Sequence, residues 1–394
     1  MPVVPQLWLG KMLVSRQRSA ISRRHRPQDE SLTADGCQLP LLPLPAESPK
    51  PLPVLDSRLR GTRFVAHSAR TVLNSPAQTG MDFWSLNPYV GCEFGCTYCY
   101  ARFAHRYAVE RAHDQGRLTD EEFADYRGTE GWEAFENRIF VKDHLLETLE
   151  KDLRKFCRVA LPPAKAEPDT IVIGTATDPY QPAERIFRIT RSVLERLAQC
   201  EGLSVGIITK SPLVARDADV LVKLSARNDL EVYISLITTD DYIIHALEAR
   251  SPVPRARLRG LKHLTDAGIR AGLIVAPVLP GITDDVPHLE ALFSAAREAG
   301  ARFIHASPLR MYPGIRDRFL PVLAEHFPEL SERYRVAYAR AANAPREYAE
   351  ALNRRVQRLQ QAHGFEVNNG MRDRYRSRSR IAQLDLKVPE VSRA

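Results

Sequence analysis

The sequence predicts an α/β protein, a partial (β/α)6 TIM-like barrel followed by a helical C-terminal extension. Three observations carry this. From about residue 80, short apolar runs rich in Val, Ile and Leu alternate with amphipathic stretches of about 10 to 15 residues, the pattern of strand–helix units feeding a parallel sheet. Six such runs occur, fewer than the eight of a closed barrel. Past residue 320 the short apolar runs give way to helical periodicity.

The six strands are expected at 83–87, 170–175, 204–210, 231–237, 271–278 and 302–308. Most are short and rich in Val, Ile or Leu, as strands covered on both faces are. The helices expected between the second and sixth strands fall at 190–200, 217–225, 240–248, 256–267 and 286–299. In the last of these, Leu289, Leu292 and Ala296 recur at i, i+3 and i+7 and share one face. A long insertion, about 98–168, separates the first two strands and is expected to hold helices at 101–115 and 142–158. After the sixth strand, 345–363 places Tyr348, Leu352, Val356 and Leu359 on one stripe and stops at Gly364, as a helix capping the barrel would.

The remaining chain divides by composition. Residues 1–62 include a Pro-rich run at 39–53 and show no sustained period, so they read as a mostly disordered Pro- and Arg-rich leader. Within it, 11–27 is rich in Arg and Ser and free of acids; a disordered leader is favoured there over a transit peptide. A linker is expected at 63–79, a core at 80–320, a helical extension at 321–365 and a basic tail at 366–394. No apolar run approaches the roughly 18 residues that span a bilayer, so no membrane partner and a cytoplasmic location are expected.

The net charge of +8 is uneven: residues 1–70 carry 11 basic against 5 acidic residues, and residues 310–394 carry 17 against 10. The middle of the chain is therefore slightly acidic, and any attraction for nucleic acid belongs to the basic termini. Arg372, Arg374, Arg376, Arg378 and Arg380 form the densest run there, readable as a phosphate-contacting strip or as a solvated tail.

Three of the six cysteines fall within eight residues: Cys92, Cys96 and Cys99, in the order C-x3-C-x2-C directly after the first strand. Without an export signal, a metal or redox site is the default reading of such a cluster. A cuboidal four-iron four-sulfur cluster takes one thiolate per iron, so three close cysteines can hold three corners while Gly91 and Gly95 relax the backbone. The fourth iron is then open to a substrate or cofactor. Structural zinc needs a fourth ligand, for which His105 and Cys157 are the candidates, and usually presents two separated knuckles. A redox pair at Cys96 and Cys99 leaves Cys92 idle. Cys37, Cys157 and Cys200 read as inert.

With its aromatic Tyr98 before the last cysteine, the loop resembles that of the radical S-adenosylmethionine (radical SAM) superfamily. Asn87-Pro88-Tyr89 before the cluster and Cys99-Tyr100-Ala101-Arg102 after it are similar to the spore photoproduct lyase-like, or DNA repair photolyase-like, branch. The resemblance covers about residues 80–320. It implies a barrel of the radical SAM type, a 4Fe–4S cluster and S-adenosyl-L-methionine as cofactors, and an electron donor such as a flavodoxin or ferredoxin. It also implies reductive cleavage of S-adenosylmethionine to a 5′-deoxyadenosyl radical that abstracts hydrogen from substrate carbon.

By the same resemblance, Gly174, Thr175, Thr177 and Asp178 at the end of the second strand form the segment that binds the methionyl amine. Lys210 closes the third strand and matches a lysine that pairs with the methionyl carboxylate, while Ser235 on the fourth matches a ribose contact. Tyr98 and the apolar fifth strand flank the adenine. Glu248, Arg250 and Arg257 read either as cofactor contacts or as a structural ion pair, and His305 and Arg310 as residues on the substrate side. The lyases carry a hydrogen-donating cysteine at the end of the second strand, and the matching position here is Thr175, so the resemblance extends to scaffold and cofactor but not to substrate. The competing reading is a non-catalytic zinc or iron–sulfur nucleic-acid-binding module.

Overall fold

The computed structural model describes residues 54–57, 61–127, 134–159 and 169–366. The Pro-rich leader, Cys37 and the Arg372–Arg380 run lie outside them. The first described elements are β1 (Val54–Ser57), β2 (Arg63–Ser68), β3 (Leu73–Asn74), α1 (Pro76–Thr79), β4 (Trp84–Leu86) and β5 (Tyr89–Val90). The insertion holds α2 (Arg102–Asp114), α3 (Asp120–Arg127), α4 (Ala134–Asn137), β6 (Arg138–Asp143) and α5 (Leu145–Val159). The barrel continues through β7 (Thr170–Ile173), α6 (Glu184–Phe187), α7 (Ile189–Leu197), β8 (Ser204–Thr209), a 3-10 turn (Pro212–Asp217), α8 (Ala218–Ser225) and β9 (Asp229–Ser235). It closes with α9 (Asp241–Leu247), α10 (Pro254–Asp266), β10 (Ala271–Val278), α11 (Val286–Glu298) and β11 (Ile304–Pro308). Three helices follow, α12 (Pro313–His326), α13 (Pro328–Ala337) and α14 (Arg346–Ala362).

The main sheet has the order β11-β10-β9-β8-β7-β4-β3. From β4 to β11 every neighbouring pair is parallel, so the six expected strands form the partial barrel, and β3 adds an antiparallel edge. One face of each strand packs under the helices: Ile171, Val205, Val232, Leu273 and Ile304 are fully buried. The opposite face lines the concavity. In register, Ile274 lies beside both Ser235 and His305, and Thr209 lies beside Ile234, so Lys210, Ser235, Ile274 and His305 follow one another across the concave face. At the far edge, α14 buries Leu352, Val356 and Leu359, and the Gln360 side chain donates to the Ile304 carbonyl at 2.8 Å, which covers strand β11.

Three expectations change. The segment 63–79, expected as a linker, is ordered: β2 joins a second sheet of order β1-β2-β6-β5, and β3 joins the barrel. The helix expected at 142–158 begins at Leu145, because Lys142 and Asp143 end strand β6, whose three-residue apolar run is too short to separate from a following helix by period alone. The boundary at 320/321 falls inside α12, so the barrel and the C-terminal helices share an element. No described helix is long and apolar enough to cross a membrane.

Candidate active site at the barrel mouth

The cysteine loop leaves the barrel through β4 and β5 and is pinned from three sides by its backbone. Cys92 N donates to the Phe135 carbonyl at 2.8 Å. Thr97 N donates to the Leu247 carbonyl at 2.9 Å and Arg250 N to the Phe94 carbonyl at 3.1 Å, with Cys96 and Glu248 paired antiparallel between them. The residues after α9 thus form a short ladder with the loop. On the third side, Thr177 Oγ1 and Gln181 Nε2 donate to the Gly91 carbonyl at 2.6 and 3.1 Å, and Glu93 is held by the Gln181 side chain and the Ala183 amide.

Cys92 and Cys96 are buried and Cys99 is half-buried; all are free thiols. Burial pushes the three thiols up, so they hold their protons until a metal displaces them. Among the described residues no trio of His, Cys, Asp or Glu closes around a single ion. Thiolates on separate corners of a cuboidal cluster have no need to converge in that way, and three soft sulfur donors in one loop fit such a cluster. His105, a candidate fourth zinc ligand, is turned away: its Nε2 is 2.9 Å from the Arg138 carbonyl oxygen and its ring packs on Phe135 and Phe140. The Cys157 side chain lies outside the described part.

Beside the loop stands a buried charged group. Glu248 accepts from Tyr98 Oη, from Arg257 and, at 2.8 Å, from Ser251 Oγ; Lys210 Nζ lies 3.5 Å from it. Burial alone would raise the Glu248 carboxyl, but Arg257 and Lys210 outweigh it and hold the group at about 2. Lys210 is opposed by burial in the same way, and Glu248 keeps it above the ordinary lysine value. Its Nζ donates to Ser235 Oγ at 2.9 Å and lies 5.6 Å from the centre of the Tyr98 ring. The structure therefore brings Tyr98, Lys210, Ser235 and the cysteine loop together.

At the end of β7 each of the four expected residues has partners within the protein. Asp178 spends both oxygens on the protein, accepting from Tyr180 N at 2.9 Å and Thr209 Oγ1 at 2.6 Å on one and from Lys210 N at 2.7 Å on the other. Thr177 braces Gly91, and Thr175 Oγ1 sits in a buried cluster with Ser85 Oγ at 2.5 Å and Asn87 Nδ2 at 3.1 Å. Gly174 has φ +94°, and a Cβ there would fall 2.3 Å from the Ile208 carbonyl oxygen, so close strand packing accounts for it. Arg257 is fully buried on Glu248 and on the Ser235 and Pro252 carbonyls, which makes it the structural pair of the two readings. The His305 ring lies against Tyr233 and Phe303 with its Nε2 buried and unbonded, near the Glu231–Arg270 pair at the starts of the strands, whereas Arg310 is exposed.

Several residues of the site escape sequence reading. Glu136 is one: it is buried and accepts from Arg102 and Arg250 behind the cysteine loop. Gln181 and Glu93 are others. Arg102 alone carried a hint, through its place in Cys-Tyr-Ala-Arg; the rest lie in segments with no distinguishing period.

A half-open parallel barrel with three thiols on one loop at its mouth, facing a lysine and a serine on adjacent strands, has the build of a cluster-bearing barrel enzyme. The sequence profile of the Radical SAM superfamily matches residues 86–292. The chain belongs to the radical SAM superfamily and uses that superfamily's cofactors, a 4Fe–4S cluster and S-adenosylmethionine. An uncharacterized protein of Mycobacterium tuberculosis is 31% identical over 299 residues, covering 75% of this chain and 79% of that one. An uncharacterized protein of Methanocaldococcus jannaschii is 27% identical over 199 residues, covering 50% and 61%. Among solved structures, a spore photoproduct lyase variant aligns with a TM-score of 0.54 at 14% identity, over 76% of this chain and 79% of that one. Another lyase variant, with bound AdoMet and dinucleoside spore photoproduct, aligns at 0.53 with the same identity and coverage. These likenesses establish a shared fold.

Proposed function

We propose that Cys92, Cys96 and Cys99 hold the 4Fe–4S cluster, and that Tyr98, Lys210 and Ser235 form the wall on which S-adenosylmethionine lies. One observation carries this reading: the antiparallel pairing of Cys96 with Glu248 sets the cysteine loop against the Lys210–Glu248–Tyr98 group on the concave side of the strands. When bound, these cofactors supply a one-electron cleavage that yields methionine and a 5′-deoxyadenosyl radical able to take hydrogen from carbon.

The chain's own contribution is placement. Lys210 remains charged beside Glu248 and offers its ammonium to a carboxylate, while Ser235 offers a hydroxyl one strand away. Asp178 and Thr177 act as positioning residues, fixing the start of the Lys210 loop and the Gly91 turn. The apolar wall of β10, with Ile274 and Ala276 half-buried on the concave side, excludes water from the same space. The substrate enters over the C-terminal ends of β10 and β11. We read that substrate as nucleic acid or another large molecule, supported by the shared fold with lyases solved on a dinucleoside and by the basic ends of the chain. A small reducing protein, flavodoxin or ferredoxin, supplies the electron.

The test is anaerobic reconstitution with iron and sulfide, followed by dithionite and S-adenosylmethionine. Wild type is expected to bind about four iron atoms per chain and to release 5′-deoxyadenosine, and alanine at Cys92, Cys96 or Cys99 to abolish both. Alanine variants that keep wild-type iron content refute the ligand assignment. A wild type that takes one zinc and forms no 5′-deoxyadenosine supports the non-catalytic module instead.

A further inference from the structure

We propose that Glu136, with Arg102, Arg250 and Arg318 around it, is a positioning node that fixes the back of the cysteine loop and sets the reduction potential of the cluster held there. This rests on the reading that Cys92, Cys96 and Cys99 are the ligands.

Glu136, on α4 in the insertion, is 7% exposed. One of its oxygens pairs with Arg102 of α2, the other with Arg250 after α9, and Arg318 of α12 approaches to 3.6 Å. Two of these arginines also grip the loop itself. Arg102 donates to the Cys96 carbonyl at 3.2 Å, and Arg250 Nε donates to the Glu93 carbonyl at 2.6 Å. The contact leaves no room for a side chain between node and loop: Gly95 has φ +68°, and a Cβ there would lie 2.8 Å from Arg250 Nη2 and 3.0 Å from Glu136 Oε2. One carboxylate thus gathers guanidiniums from three separate segments and holds them against the peptide that carries the thiols.

The charge balance gives the node its second role. Three guanidiniums and one carboxylate leave an excess of positive charge. A cluster on three thiolates is anionic and gains a further negative charge on reduction, so a positive neighbour favours the reduced state. Arg102 is 1% exposed, so solvent screens it little, whereas Arg250 is 46% exposed and acts more weakly. Glu136 opposes both.

These signs separate electrostatics from scaffolding. The experiment is an anaerobic redox titration of the reconstituted protein, without S-adenosylmethionine, for wild type, Arg102→Gln, Arg250→Gln and Glu136→Gln, following the reduced cluster by electron paramagnetic resonance. Arg102→Gln is expected to lower the reduced-to-oxidised ratio at fixed potential about tenfold, which is about 59 mV for a one-electron couple. Arg250→Gln should lower it less, and Glu136→Gln should raise it. Loosening of the loop alone would move the arginine and glutamate variants the same way. Shifts of one sign across the set, or ratios within about twofold of wild type, overturn the proposal while leaving the ligand assignment intact. Should Arg102→Gln fail to retain iron, Arg250→Gln and Glu136→Gln still carry the comparison of signs. A wild type that takes no cluster overturns the ligand assignment and this inference with it.

Discussion

Replacing Arg257 by Leu tests the structure of the site without any cofactor. Arg257 and Glu248 are each fully buried, and Arg257 also donates to the Ser235 carbonyl at 2.8 Å, the Pro252 carbonyl at 2.7 Å and Ser251 Oγ at 2.5 Å. Leucine fills much of the volume but leaves Glu248 in the interior with Lys210 at 3.5 Å as its remaining cation. Breaking a buried pair from one side costs about 3–5 kcal/mol, because the surviving charge keeps its desolvation penalty. At roughly 2 °C per kcal/mol for a chain of this size, the iron-free protein should melt about 6–10 °C lower. Calorimetry, with urea unfolding at constant m value, measures it. Glu248→Gln should cost a similar amount, and the double variant less than the sum by about 1–3 kcal/mol, since it removes one charge of each sign. An Arg257→Leu variant within about 1 kcal/mol of wild type, or strict additivity in the double variant, would refute the claim that this pair organises the ladder under Cys96.

Two further outcomes follow from buried groups away from the thiols. Burial holds His105 at about 4, below the ordinary histidine value, and does the same to His67. The unfolded chain therefore takes up protons first as pH falls below about 6.5, and stability present above that value is lost on the way down to about 4, by about 3 kcal/mol for each histidine. Urea midpoints from pH 7 to 4 should fall in wild type, and His105→Gln should lose part of that slope; an unchanged slope contradicts the burial account. At Gly174, alanine would place its Cβ 2.3 Å from the Ile208 carbonyl oxygen at a positive φ. A loss of about 2–5 kcal/mol is expected in the iron-free protein, and a melting temperature equal to wild type would show that β7 and β8 can part without cost.

Much of the barrel was legible because its strands are short Val- and Ile-rich runs between amphipathic helices, and each helix reports its own buried face. The expected 271–278 matches β10 to the residue, and 286–299 exceeds α11 by one. The second sheet was not legible. Its strands β2 and β6 offer only brief apolar runs, Phe64–Ala66 and Ile139–Val141, and pair across an insertion that the local pattern cannot bridge. In the site, the Cys-x3-Cys-x2-Cys spacing singled out the three thiols, and the strand ends singled out Lys210 and Ser235, which the fold sets beside them. It did not show that Asp178 and Thr177 spend their oxygens on the protein, nor that the segment after α9 lies along the cysteine loop.

What the sequence by itself determined is the chemistry available: three thiols in eight residues, a half-barrel of alternating units, and a lysine and serine at neighbouring strand ends. Tertiary structure alone decided which charges meet. Arg250 and Glu136 are 114 positions apart and Tyr98 and Glu248 are 150 apart, yet each pair is bonded. The physical reason is that local periodicity records which face of an element is buried, whereas the partner of a buried charge depends on the order and register of the strands that surround it.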